Sequence, residues 1–267
     1  MMPREPVIPD SLAREKMPDL LRNWHLGSRA RRHLSTRRFA AVTGLLPSGG
    51  GRAALDAGSG WGYNLFLLSG RGYRPYGIDI VQDDFAAARA VASANGFAAL
   101  LAGADLSALP FFAGAFSAVT AVETIEHVYD GDRIAALREA ARVLEPGGAF
   151  ALSTPNYYSI VETGKRVVAR FPFLKRFLPG MCYPAGDVER SDYHPYRYHK
   201  PIPPAQLRRA LEEAGFEVER MTRIIFVWKN VPDLLFPLAL PIEWILESVP
   251  LIRNLGSTLV VLARKRR

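Results

Sequence analysis

The chain has 267 residues, 49% of them hydrophobic and 22% charged, with a net charge of +8. These values exclude a disordered or fibrous chain and leave ample length for a full core. The single cysteine, Cys182, excludes an internal disulfide and a cysteine-rich zinc site. Six of the 34 basic residues are lysines and the rest are arginines. Such a surplus suits nucleic acid, anionic lipid or an acidic substrate, and suits a solvated face equally well. Met1–Asp10 lacks the apolar core of a signal peptide, which predicts a cytoplasmic chain.

Asp10–Trp24 and Ser28–Leu46 read as helices, with Asp10 or Ser11 and Ser28 as N-caps. The second helix sets Arg29, Arg31, Arg32, Arg37 and Arg38 beside Leu34, Phe39, Val42 and Leu46, a basic face for nucleic acid, membrane or solvent. Pro47-Ser48-Gly49-Gly50-Gly51 ends this N-terminal segment, residues 1–51. From Arg52 strand-like runs at Ala53–Ala57, Pro75–Ile80, Ala98–Ala102, Ser117–Val122 and Ala149–Ser153 alternate with helical spacing at Tyr63–Ser69, Asp83–Asn95 and Asp130–Leu144. That alternation predicts an α/β core over residues 52–155, with a mostly parallel sheet and helices on both faces. Residues 156–202 break the pattern with Phe and Leu among Lys and Arg, then an aromatic run at Tyr193–His199, and read as an inserted lid. Residues 203–267 return to the core through a helix at Pro204–Ala214 and strands at Phe216–Val227 and Ser257–Ala263. The apolar insertion at about 231–252 is cut by prolines and carries Glu243 and Glu247, so it is not expected to span a membrane.

The chemistry concentrates where strands end. Ala54-Leu55-Asp56-Ala57-Gly58-Ser59-Gly60-Trp61-Gly62 is a strand, a tight turn and a helix start. Its G-x-G-x-G spacing differs from the G-x-G-x-x-G of dinucleotide enzymes, which weighs against a nicotinamide dehydrogenase. The bare glycine backbone admits a ligand closely, and amides at the helix start can hold an anion. Asp79 ends the next strand, where an acid can accept both ribose hydroxyls. If Glu123, Glu126 and His127 lie on one helix, they share a face and form a candidate divalent-cation set. His127 reads equally as a general base, with Glu126 beside it, or as a hydrogen-bonded structural histidine. Tyr157, His194, Tyr196, Tyr198 and His199 are candidates for the acceptor side.

Three segments carry a resemblance: Leu55–Gly62, Gly77-Ile78-Asp79 and Arg142-Val143-Leu144-Glu145-Pro146-Gly147-Gly148. Together they resemble the class I S-adenosylmethionine-dependent methyltransferases, which implies a Rossmann-like, seven-stranded, mostly parallel sheet and S-adenosylmethionine as cofactor. Glu123-Thr124-Ile125-Glu126-His127-Val128, Leu152-Ser153-Thr154-Pro155-Asn156 and His199-Lys200-Pro201 are similar to the ubiquinone-biosynthesis O-methyltransferases. That likeness implies cofactor contacts from Arg38, Gly58, Asp79 and Val122, with Asp105 reaching the adenine amino group and Leu106 its ring. Asp56, Gly60, Gly62 and Ile80 complete the expected cofactor set. The E-x-x-E-H set is implied to hold a metal near a phenolic acceptor. Ser117 stands where that family has aspartate, and neither the aromatic insertion nor the proline-broken segment matches it. The expected reaction is therefore O-methylation of a small or lipid-linked acceptor, with a peripheral membrane contact through Lys165–Leu178. No Asn-Pro-Pro-Tyr-like motif for a flipped base is present, so nucleic acid is not the expected partner. A cofactor-binding scaffold without turnover is the non-catalytic alternative.

Overall fold

The computed structural model describes residues 5–12, 17–177 and 198–267. Cys182, Tyr193, His194 and Tyr196 lie outside them. Helices α1 (Asp19–His25) and α2 (Arg29–Gly44) precede the sheet. α1 is shorter than the sequence suggests: Pro18 takes the N-cap position, and near Asp10 and Ser11 the Leu12 amide donates to the Pro9 carbonyl in a turn. Ser28 caps α2 as expected, accepting from the Arg31 amide.

Strands β1 (Ala53–Ala57), β2 (Arg74–Asp79), β3 (Leu100–Gly103), β4 (Phe116–Val122), β5 (Leu144–Pro155), β6 (Phe216–Ile224) and β7 (Thr258–Lys265) form one seven-stranded sheet in the order 3-2-1-4-5-7-6. β1 to β5 are parallel, and β7 runs antiparallel between β5 and β6. Central β4 is buried at every residue, which is why its sequence is a continuous run without polar alternation. Alternate residues of the strands serve opposite faces. Leu55, Val119, Phe150 and Val261 pack against Leu137 of α5 (Arg133–Val143) and Leu207 of α7 (Pro204–Glu213). Ala54, Ala118, Ala151 and Val260 pack against Val42 of α2 and Leu68 of α3 (Tyr63–Gly70). Helix α4 (Phe85–Ala94) adds Ala87 and Val91 to an aromatic cluster of Trp24, Trp61 and Tyr63.

Beyond the alternating core, residues 156–177 form α6 (Ile160–Arg170) and a 3-10 turn at Pro172–Arg176. The proline-broken stretch forms α8 (Phe236–Ser248), with Pro241 inside it, and the short α9 (Pro250–Arg253). Among the described residues no helix is long and apolar enough to cross a membrane. α8 is tied to the basic helix α2. Glu243 meets His33 at 2.6 Å, and Arg37 donates to Glu247 at 2.8 Å. Glu243 also accepts from the Phe226 and Val227 amides, and Glu247 from the amide of Ile225. Part of the basic face of α2 is thus used internally.

Candidate active site

Gly58, Asp79, Asp105 and Glu123 sit at or just after the carboxyl ends of β1 to β4. β1 and β4 flank the point where strand order reverses, the place where such sheets bind ligands. A cavity of about 480 Å³ opens there, within the range of small-molecule sites. The Gly loop forms its floor. Gly58, Gly60 and Gly62 all have positive φ, and a Cβ on Gly58 would come within 2.5 Å of Thr124 Oγ1. Only glycine fits both the conformation and the gap.

Below the loop, Asp56 is buried and turned away from the cavity. Its Oδ1 accepts from Asn64 Nδ2 at 2.7 Å and Thr120 Oγ1 at 2.8 Å, and Thr43 of α2 donates to Asn64 Oδ1. Burial pushes its carboxyl up to about 7. Asp56 therefore supports the loop from beneath, which differs from the cofactor contact expected of it. Gly62 also stays outside the lining, because its left-handed φ of 86° starts α3 and a Cβ there would meet Ala88 at 3.2 Å.

Asp79 projects into the cavity, with Oδ2 accepting from the Gly60 amide and Oδ1 from the Val81 amide, each at 3.0 Å. Ile80, Asp105 and Leu106 line the cavity with it, as do Arg38 and Val122. Asp105 Oδ1 accepts from the amide and hydroxyl of Ser107, which fixes its carboxylate. Sequence reasoning missed the aromatic wall of Trp24, Phe39, Trp61 and Tyr63. Trp61 and Tyr63 stack with centroids 5.3 Å apart, and Trp24 tilts against both. The signal was present in the tryptophan inside the Gly loop, but α1 had to fold over it to complete the wall.

The Glu123–His127 segment departs from the expected helix. Ile125–His127 is a single 3-10 turn, and Glu123 lies before it at φ 52°, a costly value for a residue with a side chain. Glu123 turns away to Arg38 Nη1 at 3.2 Å and Ser153 Oγ at 2.8 Å. The expected trio of Glu123, Glu126 and His127 on one face is thus not formed. The ligand atoms that gather within 4.8 Å of one another belong to Glu126, His127 and His199. Glu126 is fully buried and outside the cavity lining, with the buried Thr154 hydroxyl as the side chain beside its carboxylate. Burial, and then the Glu123 charge, hold that carboxyl well above its ordinary range. Burial also pushes the His199 imidazole down to about 4, helped by His127.

His127 lines the cavity and sits 2.6 Å from the Tyr198 carbonyl through Nδ1. A carbonyl only accepts, so Nδ1 carries the proton and the lone pair falls on Nε2. Tyr198 contributes this backbone carbonyl while its buried ring faces Tyr129 at 5.7 Å. Tyr157 lies outside the cavity lining, its ring covered by the Arg166 guanidinium at 3.9 Å. His194 and Tyr196 lie outside the described residues.

Residues 54–148 match the family model described as a methyltransferase domain. The chain is 28% identical over 205 residues to a ubiquinone biosynthesis O-methyltransferase of Xanthomonas axonopodis pv. citri, covering 74% of this chain and 76% of that protein. It is 30% identical over 173 residues to a probable S-adenosylmethionine-dependent methyltransferase of Mycolicibacterium smegmatis, covering 63% of this chain. Here the match spans only about half of the relative, 53% of its length. The fold superposes on a solved SAM-dependent methyltransferase structure from Thermotoga maritima with a TM-score of 0.60 and 18% identity, covering 93% of this chain and 95% of that one. The chain carries a methyltransferase domain, has S-adenosylmethionine-dependent methyltransferases among its relatives, and shares the fold of their solved structures. In this methyltransferase the matched region holds the glycine loop, Asp79, Asp105 and His127, whereas the 54–148 boundaries leave out α2 with Arg38, His199 and both apolar segments.

Proposed function

We propose that the protein transfers the methyl group of S-adenosylmethionine to a hydroxyl oxygen of a small or lipid-linked acceptor. The observation that supports this reading is the His127–Tyr198 hydrogen bond in the wall of the cavity that Asp79 and the Gly loop also line: with Nδ1 donating to the carbonyl, Nε2 is the nitrogen that suits a base. The residues suit the cofactor. Each Asp79 oxygen accepts one amide and has a further lone pair for a ribose hydroxyl. Asp105 and Leu106 in the same lining suit an adenine amino group and ring face. Bound there, the cofactor supplies a methyl carbon already activated by its sulfonium. The chain must then align the acceptor in line with that carbon and take up the hydroxyl proton, which His127 Nε2 does as general base.

A second use of His127 has its own observation. Glu126, His127 and His199 bring ligand atoms within 4.8 Å of one another, and the Glu126 carboxyl is fully buried. This set suits a divalent cation, which would displace the Glu126 proton and acidify a neighbouring hydroxyl. The same lone pair cannot both ligate a cation and accept a proton, so the two uses exclude each other. A base role predicts a rate insensitive to chelators; a ligand role predicts loss of rate on chelation and recovery with added cation.

The test of the overall reading is incubation with methyl-labelled S-adenosylmethionine and separate lipid and aqueous cell extracts. A labelled methyl ether supports it, and label confined to nucleic acid would overturn it.

A further inference from the structure

The carbonyl that faces His127 belongs to a stretch with no place in the sheet. Residues 198–203 form neither helix nor strand, although Tyr198 and Ile202 are buried and Ile202 joins the core beside Leu207 of α7. Their backbone runs along the Ile125–His127 turn. The Lys200 amide donates to the Glu126 carbonyl at 3.0 Å, and His127 Nδ1 donates to the Tyr198 carbonyl. Arg133, the first residue of α5, closes this junction. Its Nε donates to the Val128 carbonyl at 3.1 Å and its Nη2 to the Lys200 carbonyl at 3.0 Å. Nη2 also reaches the Glu126 carbonyl at 3.5 Å, and the guanidinium lies over the Tyr198 ring, 5.9 Å from its centroid.

Neither the residue type nor its position serves the helix. A cation in the first turn meets the positive end of the helix dipole, so α5 gains nothing from an arginine there. Asp130 offsets part of that charge through an ion pair at 3.4 Å. The Arg133 side chain is only 14% exposed, and a guanidinium leaves water at this cost only where acceptors replace its hydration. Three carbonyls from two chain segments supply them. That arrangement suits a rigid fork of five N–H donors and not the point charge of a lysine.

We infer that Arg133 is a positioning residue of this site, tying the Lys200 carbonyl to the Glu126–Val128 turn and so keeping the Tyr198 carbonyl on His127 Nδ1. Ala136, Leu137 and Ala140 anchor α5 in the core, which gives the clamp a rigid base. Without the clamp the Tyr198 carbonyl drifts from the ring, the imidazole proton occupies either nitrogen, and Nε2 loses its lone pair for part of the time. Arg133 is not in the cavity lining, so it acts through His127 and not on a substrate. The inference rests on Nε2 as the working atom of His127. It holds for both proposed uses of that atom, since a general base and a cation ligand each need the proton on Nδ1.

The test is the proton–nitrogen correlation spectrum of the full chain, isotope-labelled at the ring nitrogens of its five histidines. Spectra are recorded without cofactor or acceptor, at a pH where the rings are neutral, and the signal lost in His127→Ala assigns the His127 ring. In the wild type its proton is expected on Nδ1 alone. Arg133→Ala is expected to raise the Nε2-protonated fraction at least about tenfold, the effect of losing a hydrogen bond from a charged group. Arg133→Lys, which keeps a cation beside Asp130 but not the fork, should shift the tautomer the same way by a smaller factor. Arg138→Ala removes an exposed cation of the same helix and should match the wild type. Where methyl transfer is measured, its rate should fall with the tautomer while calorimetric affinity for S-adenosylhomocysteine stays that of the wild type. A wild-type tautomer in either Arg133 variant would overturn the inference, whatever the rates. So would circular dichroism showing both variants unfolded, because Arg133 would then hold the fold and not the ring. An unchanged rate in His127→Ala would sink the role proposed for His127 and leave the tautomer to decide the role of Arg133.

Discussion

The role proposed for His127 depends on a backbone atom. The Tyr198 carbonyl holds its Nδ1 proton, so Nε2 is the basic atom, and the partner comes from a residue distant in sequence. His127→Ala should lower the methyl-transfer rate by about 10²- to 10⁴-fold while leaving cofactor affinity unchanged, measured by initial rates and calorimetry. Loss of cofactor binding together with rate would make His127 a structural residue. At Gly58, φ of 80° and the 2.5 Å approach of Thr124 leave no room for a methyl group. Gly58→Ala is expected to abolish measurable cofactor binding in a chain that still folds, and Gly58→Ala with Thr124→Ala, which removes the hydroxyl at 2.5 Å, should not recover it because the φ strain persists. At this scale the sequence reveals residue types at strand ends but not the direction of a side chain. Glu123 shows why: its positive φ and its pairing with Arg38 and Ser153 depend on neighbours from α2 and β5. His199 joins Glu126 and His127 only because the chain returns from the 156–202 segment.

Among the elements, two buried polar networks join helices to the sheet. Asp56, Asn64, Thr120 and Thr43 link β1, α3, β4 and α2 beneath the cofactor loop. The Asp56 carboxyl rises in the folded state from 3.8 to about 7, mainly through burial. A raised folded value means that stability is fully present below the unfolded value and is lost as pH rises from 3.8 through about 7. The loss amounts to about 4 kcal/mol. Asp56→Asn keeps the Oδ1 acceptor and removes the ionisation, so thermal melts of the variant should depend less on pH across that window than those of the wild type. A variant with the same pH dependence would show that another group is responsible. The second network holds α8. Burial raises the Glu243 carboxyl, but the His33 hydrogen bond and the Val227 and Phe226 amides outweigh it and keep the value below the ordinary range. A lowered value stabilises above the unfolded pKa, and that contribution is lost as pH falls through the folded one. Glu243→Ala is expected to destabilise the protein by about 3–5 kcal/mol, read by denaturant unfolding, because it leaves His33 and two amides without their acceptor. The alternating strands and helices were readable because apolar runs and glycine turns are local signals. The 3-10 turn at Ile125–His127 and the late start of α1 were not, since tertiary contacts and Pro18 decide them.

Taken as a whole, the molecule is a seven-stranded sheet whose carboxyl edge gathers nearly everything that can do chemistry. The sheet, and the place of Gly58, Gly60 and Asp79 at the cavity, could be read from Leu55–Gly62 and the strand pattern, because backbone approach and strand ends follow from spacing. The aromatic wall, the Glu126–His127–His199 group and the packing of α8 on α2 could not, as each needs segments far apart in sequence to meet. The matched methyltransferase domain covers the glycine loop, Asp79 and Asp105, and leaves out α2, His199 and both apolar segments. The most direct test of the account is calorimetric titration of the wild type and Asp79→Ala with S-adenosylhomocysteine and, separately, with NAD. The account predicts saturable binding of S-adenosylhomocysteine at one site per chain, at least about tenfold weaker in Asp79→Ala, and no binding of NAD. Tight binding of NAD, or S-adenosylhomocysteine affinity unchanged by Asp79→Ala, would contradict it.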